Sequence, residues 1–483
     1  MLRRVRSVVK RLFEKLFGDA SRRRTGRRCS VVAAALLAAT LVGGCAINPA
    51  PPLADASTKS AAAAGDDEQR EARRIRHWIT ANGARVYFLP APDLPIVDLR
   101  VVFDAGSARD GQHPGVARLA ASALRSGAAN MDVEQIAARL AAVGAQLGVD
   151  ARRDMAWLQL RSLSSEAELA PAVEIAAAIL GSPSFPEGEI ERLKQQGLIA
   201  LREERQSPGK TAERAFFAAL YGDHPYARRP DEDDVRSLDR AAVRDFFARH
   251  YVASNAVVAI VGDLDRAAAE ALAERVTAVL PRGEPAAPLP PVAELSRGET
   301  LRIPFPSQQA HILIGQPGLS RGDADYFSLY LGNHVFGGSG FSSRLVGEVR
   351  EKRGLAYSVY SHFLPMAERG PFQMGLQTRG DQAEGAAELV REELRRFVAE
   401  GPSEAEIEAA LLNITGGSPL RTDSNRKLVE YLAMIGFYDL PLDYLDAFNA
   451  RISAEDAASV RDAFQRRVAP QRLITVIVGG GAE

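Results

Sequence analysis

Asp239–Gly262 reads DRAAVRDFFARHYVASNAVVAIVG, and Asp456–Gly479 reads DAASVRDAFQRRVAPQRLITVIVG. The two align without a gap. Val243-Arg244-Asp245 falls on Val460-Arg461-Asp462, an offset of 217 residues. In the first copy Val243, Phe246 and Phe247 make one apolar stripe on a helix. The runs AVVAIVG and LITVIVG that follow are apolar and largely β-branched, which suits strands covered on both faces. Helix, short turn and buried strand therefore occur twice, and the chain is predicted to hold two similar domains.

Working outward, the first domain is expected over 71–282 and the second over 299–483. Each has roughly 200 residues, enough to bury a full core. Each opens on strands: RVYFLPAP and IVDLRVVFDAG in the first, ETLRIPFPSQQAHILIGQPG in the second. Helical stretches VEQIAARLAAVGAQ, ELAPAVEIAAAILG and EGEIERLKQQGLIALREERQ lie between the first domain's outer strands. Strict strand–helix alternation is missing, so the predicted class is α+β, each domain a mainly antiparallel sheet with helices packed on it. The proline-rich stretch around 283–298 reads as a stiff, extended linker.

The N-terminus has a different character. Residues 1–45 carry eleven Lys/Arg and two Asp/Glu, leaving 49 basic against 59 acidic residues in the remainder. An acidic body argues against a nucleic-acid partner, because phosphate binding needs a basic face. The uncharged run Cys29–Ile47 follows the basic segment in the order of an export signal. Leu41-Val42-Gly43-Gly44-Cys45 resembles a bacterial lipobox, in which the cysteine is lipidated and the signal is cut before it. The reading is a lipoprotein-type signal over 1–45, with a flexible tether over 46–70. An uncleaved anchor and simple secretion are the alternatives. Ala46 after the cysteine points to the periplasmic face of the outer membrane. Cys29 and Cys45 are the two cysteines of the chain, so no disulfide supports the body.

Several segments together resemble the pitrilysin/insulinase-type metallopeptidases from about Arg74 to Gly480. They are GSARDGQHPGVARLAASALRSGA (Gly106–Ala128), YGDHPY (Tyr221–Tyr226) with the repeat after it, and FGGSGFSSRLVGEVREKRGLAYSVYS (Phe336–Ser361). The resemblance implies two domains facing each other as a clamshell around a peptide-holding chamber. It also implies a zinc helix with an inverted His-x-x-Glu-His motif. Here the matching positions are Arg118, Ala121 and Ser122. Arginine has no lone pair to donate, and alanine cannot act as a base. Glu203 resembles the family's distal glutamate ligand but lacks its histidine partners. None of the seven histidines pairs with another at i, i+4. The sequence therefore predicts no metal, no cofactor and no catalytic residues of its own.

The second-domain motif is the better functional candidate. Arg350 and Tyr357 match an arginine and a tyrosine that the family contributes to its active chamber. Both can donate hydrogen bonds to a peptide carbonyl or a developing oxyanion. Gly354 is expected to turn the chain from helix EVREKR into a strand LAYSVYS. Gly337, Gly338 and Gly340 are expected to end a helix and carry a substrate-facing loop. His224 is expected to support the turn around it.

The expected function is that of a non-catalytic, peptide-binding subunit. It would pair with a zinc-bearing paralogue in the cell envelope and be held to the membrane through Cys45. A scaffold that keeps the fold without proteolysis is the alternative. A stand-alone metalloendopeptidase is the minor one.

Overall fold

In the computed structural model, which describes residues 74–480, the repeat becomes the same unit twice. The first half runs β1 (Arg76–Ile79), β2 (Arg85–Pro90), β3 (Ile96–Phe103), α1 (Val116–Ala123), the two-residue strands β4 (Gly127–Ala128) and β5 (Met131–Asp132), and α2 (Val133–Ala142). It continues through β6 (Gln146–Ala151), β7 (Ala156–Leu163), α3 (Glu166–Gly181), α4 (Glu187–Arg205) and α5 (Pro208–Tyr221). It closes with α6 (Glu232–Ser237), α7 (Arg240–His250), β8 (Ala256–Gly262) and α8 (Arg266–Thr277). The second half runs β9 (Glu299–Ile303), β10 (Gln309–Pro317), α9 (Tyr326–Asn333), β11 (Val359–Phe363), β12 (Pro371–Arg379) and α10 (Ala383–Glu400). It ends with α11 (Glu404–Gly416), α12 (Asn425–Phe437), α13 (Tyr444–Ser453), α14 (Ala457–Arg467) and β13 (Ile474–Gly479). The expected signal, the tether and Cys45 lie outside the described residues.

The predicted α+β class is what forms. The first sheet has the order β1-β2-β8-β3-β7-β6, and the second, read from its other end, β9-β13-β10-β12-β11. Leaving β1 aside, the orders coincide strand for strand. Each sheet is antiparallel except for one pair, β2 with β8 and β9 with β13. The two copies of the repeat supply α7–β8 and α14–β13, and the same residue opens both helices. Asp239 accepts from the Ala242 N–H at 2.8 Å and Asp456 from the Ser459 N–H at 2.7 Å.

Every residue of β8 is buried, because both faces of its sheet are covered. One face packs under the first half's own helices, through Val258 and Ile260 with Val243 and Phe246. The other face, with Val257, Ala259 and Val261, is covered by Val429, Leu432 and Ala433 of α12, from the second half. The second sheet is treated the same way. Leu313, Val476 and Val478 lie under Ala212, Phe216 and Leu220 of α5, from the first half. The helices α5 and α12 begin 217 residues apart, so the repeat exchanges one equivalent helix in each direction. Both contacts are close. A Cβ on Gly436 of α12 would lie 2.5 Å from the Tyr87 and Val257 side chains, and one on Gly315 of β10 would lie 2.9 Å from the Phe216 ring. Each fully buried Val or Leu in these seams contributes about 1.5–3 kcal/mol.

The linker is pinned along its length. Ala287 O accepts from Arg109 at 2.6 Å, Pro290 O lies 2.8 Å from His224 Nε2, and Val292 O accepts from Arg369 at 2.7 Å.

Candidate functional site

Helix α1 is set by a buried carboxylate. Asp110 accepts from the backbone N–H of Gly115 at 2.7 Å and of Ala117 at 2.9 Å, tying the loop to the first helical turn. Burial pushes its carboxyl up to about 7, against the pull of the two N–H donors. The GSARD loop before it rests on the turn between β6 and β7. Ser107 N donates to Arg152 O at 2.8 Å and Ala108 N to Arg153 O at 2.9 Å.

On α1, Arg118 and Ser122 are exposed one turn apart, while Ala121 is 1% exposed and faces the core. Glu203 is exposed near the end of α4, which packs beside α1. These four positions do not make a zinc site. They offer one carboxylate, one hydroxyl, one cation and one methyl group, where zinc takes imidazole, thiolate or carboxylate ligands. Among the described residues no group of three or more His, Cys, Asp and Glu stands together to hold a metal.

Beside α1 lies the strand β6, the last of its sheet. It pairs with β7 on one side, and no described strand pairs with the other. At its end the Ala151 N–H is taken by Asp150 Oδ1 at 2.9 Å, but further along no described strand occupies the outer edge, which is open to an added extended chain. The equivalent strand β11 ends the second sheet in the same way.

The two halves meet at Asp154, in the β6–β7 turn and 4% exposed. Its carboxylate accepts from Tyr226 Oη at 2.6 Å, from Tyr438 Oη at 2.9 Å and from Ala367 N at 2.8 Å. Burial raises its pKa, and the three donors work against that rise. Next to it, the Arg153 guanidinium lies 3.5 Å from the centre of the Phe217 ring, and burial lowers its pKa to about 10. His224 has the expected supporting role: its Nδ1 accepts from Tyr226 N at 3.1 Å, and its Nε2 bonds the linker. Sequence reasoning missed Asp154, because an RRD turn between two strands carries no signal of three-way bonding.

In the second half, α9 runs into a wide turn over His334–Gly338. Gly337 is a contact position, since a Cβ there would sit 2.4 Å from Ser361 Oγ. Gly338 packs on Asn333, and Gly340 has φ +64 in open space. These glycines end the helix as expected. Gly354, at φ +61, makes the expected turn after Arg350. The predicted strand over LAYSVYS is corrected: it starts at Val359, not Leu355. Leu355 is drawn back instead, its N–H donating to Val349 O at 2.9 Å and its C=O accepting from Thr378 Oγ1. Tyr357 therefore stands on a loop, 88% exposed, rather than in a strand.

The Arg350 guanidinium carbon lies 4.9 Å from the centre of the Phe341 ring and 5.5 Å from that of Tyr357. Phe341 was not foreseen. Its one signal is a large aromatic residue in an otherwise Gly/Ser loop, FGGSGFSS.

Comparison with known proteins agrees with this arrangement. Residues 86–230 match the family model described as Insulinase (Peptidase family M16), and residues 237–414 match Peptidase M16 inactive domain. A crystal structure of a peptidase M16 inactive domain from Pseudomonas fluorescens is similar at TM-score 0.82 and 39% identity, over 84% of this chain and 98% of that one. A protease from Helicobacter pylori shares the fold at TM-score 0.76 and 18% identity, over 84% and 99%. Among curated relatives, a zinc protease of Streptomyces coelicolor is 27% identical over 69% of this chain and 74% of its own. The non-peptidase homolog YmxG of Helicobacter pylori is 24% identical over 80% and 89%.

Proposed function

Because the chain belongs to peptidase family M16, the insulinase-type family, and carries Arg118, Ala121 and Ser122 where that family's zinc motif stands, we propose that it is a non-catalytic, peptide-holding subunit. It pairs with a zinc-bearing paralogue and works in the cell envelope, tethered through Cys45. The observation that carries this reading is the free edge of β6 beside α1. An extended peptide added there gains backbone hydrogen bonds while passing the exposed Arg118 and Ser122.

Holding a peptide needs no metal. Cutting one needs an activated water, which Arg118, Ala121 and Ser122 cannot supply. The partner's zinc would provide it, while Arg350 and Tyr357 offer donors to a carbonyl or its oxyanion. Co-expression with a zinc-bearing paralogue from the same genome tests the reading. The pair is expected to co-purify and cleave peptides that this chain alone leaves intact. Failure to associate, with the paralogue equally active alone, would leave the scaffold reading in its place.

A further inference from the structure

Four cations lie in the stretch 344–353, and three of them are paired with one of two acids. Arg344 pairs with Glu406 at 2.5 Å, Lys352 with Glu348 at 2.6 Å, and Arg353 with Glu348 at 2.7 Å. Arg350 makes no ion pair and no side-chain hydrogen bond to any described residue. Its contacts are the two rings, Phe341 at 75% exposure and Tyr357 at 88%. Two large aromatic side chains left in solvent around one uncompensated guanidinium make an unusual surface.

The geometry restricts what can bind. Both rings stand within cation–π reach of the guanidinium, and their apolar surface displaces water beside it. The guanidinium carries five N–H donors in one plane, and none has a partner among the described residues. A planar acceptor with two oxygens fits that edge in bidentate fashion, as a carboxylate does, whereas a peptide carbonyl engages it through one oxygen.

We propose that Phe341 is a positioning residue which, with Tyr357, holds Arg350 edge-on for a carboxylate. The peptide held in this chain then presents its C-terminal carboxylate or an acidic side chain at this point. This rests on the peptide-holding reading above and adds the substrate class to it.

The test uses the full-length chain and fluorescein-labelled nonapeptide pools, with Kd read by fluorescence polarisation. One pool has a free C-terminus and includes Asp and Glu. A second is C-terminally amidated, a third lacks Asp and Glu, and a fourth has both changes. The fourth is expected to bind at least ten-fold more weakly than the first, and whichever single change reproduces the loss identifies the source of the carboxylate. Arg350→Lys and Phe341→Ala are each expected to remove that preference without moving the thermal midpoint. Phe341→Trp, which keeps a ring over the guanidinium, is expected to restore it, a rescue that a purely structural role would not give. Equal binding of the first and fourth pools, or a preference that survives Phe341→Ala, would overturn the carboxylate assignment alone. Absence of binding by every pool would overturn it together with the peptide-holding reading.

Discussion

The carboxylate of Asp154 accepts a 2.9 Å hydrogen bond from the hydroxyl of Tyr438, 284 residues further along the chain. Tyr438 follows α12 directly, so the bond fastens the end of the crossing helix to the turn beside β6. The same carboxylate holds Tyr226 and the backbone of Ala367. One side chain thus ties the turn beside the β6 edge to the second half at two points, Tyr438 and Ala367.

Removing the Tyr438 hydroxyl is expected to lower stability by about 1–3 kcal/mol, the range for a hydrogen bond to a buried acidic acceptor. Urea unfolding of Tyr438→Phe against the parent measures it. Asp154→Ala, which strands three donors at once, should cost more than Tyr438→Phe; an equal or smaller loss would show that the donors find other partners.

His250 gives a pH dependence of known sign. Burial, followed by the nearby Arg109 charge, lowers its pKa from 6.5 to about 4, so the folded chain keeps it neutral. Its contribution is full above pH 6.5 and is lost as pH falls through about 4. Asp110, pushed up to about 7 by burial, acts in the opposite sense, stabilising as pH falls from about 7 toward 4. The two are separated by variants. Between pH 6.5 and 4.5, His250→Gln should lose less stability than the parent in denaturant titrations. A parallel pair of curves would mean that His250 titrates normally.

The emptied helix can be refilled. Arg118 and Ser122 are exposed at i, i+4, and Glu203 lies on the adjacent helix. The parent is expected to carry no stoichiometric zinc after dialysis. The double variant Arg118→His and Ser122→His should take up one equivalent by elemental analysis, and adding Glu203→Gln should weaken it. It should cut nothing, because Ala121 provides no base. Uptake indifferent to Glu203 would remove that residue from the ligand set.

Anchoring is expected to depend on Cys45. A Cys45→Ala variant should lose radiolabelled lipid incorporation and accumulate at the size of the unprocessed chain. Parent-like migration and fractionation would favour an uncleaved anchor instead.

The parts of the fold carried by short-range pattern were legible. The stripe of Val243, Phe246 and Phe247 and the run AVVAIVG give α7 and β8, and their copies give α14 and β13. The β6–β7 hairpin was not foreseen, because QLGVDA mixes glycine, glutamine and aspartate and shows no clean alternation. Nor was the crossing of α5 and α12. An amphipathic helix records that it has an apolar face, but not which sheet that face meets. At the site, the loss of the zinc ligands is a matter of residue identity and was read directly. The stacking of Phe341 on Arg350 depends on a loop returning across a wide helical turn, which residue spacing does not encode.

The exchange of α5 and α12 also constrains how the chain is made. During synthesis β2, β3 and β8 are all complete by residue 262, yet one face of their sheet stays bare until α12 emerges more than 160 residues later. Throughout that interval Val257 and Val261 lack the cover of Val429, Leu432 and Ala433, and Tyr87 has the His77 ring stacked on it but not the α12 side of its packing. The first half is thus the vulnerable nascent species, to be shielded by whatever escorts it until Phe437 has left the ribosome. For the same reason a polypeptide truncated within the linker is an aggregation hazard rather than a usable half-protein.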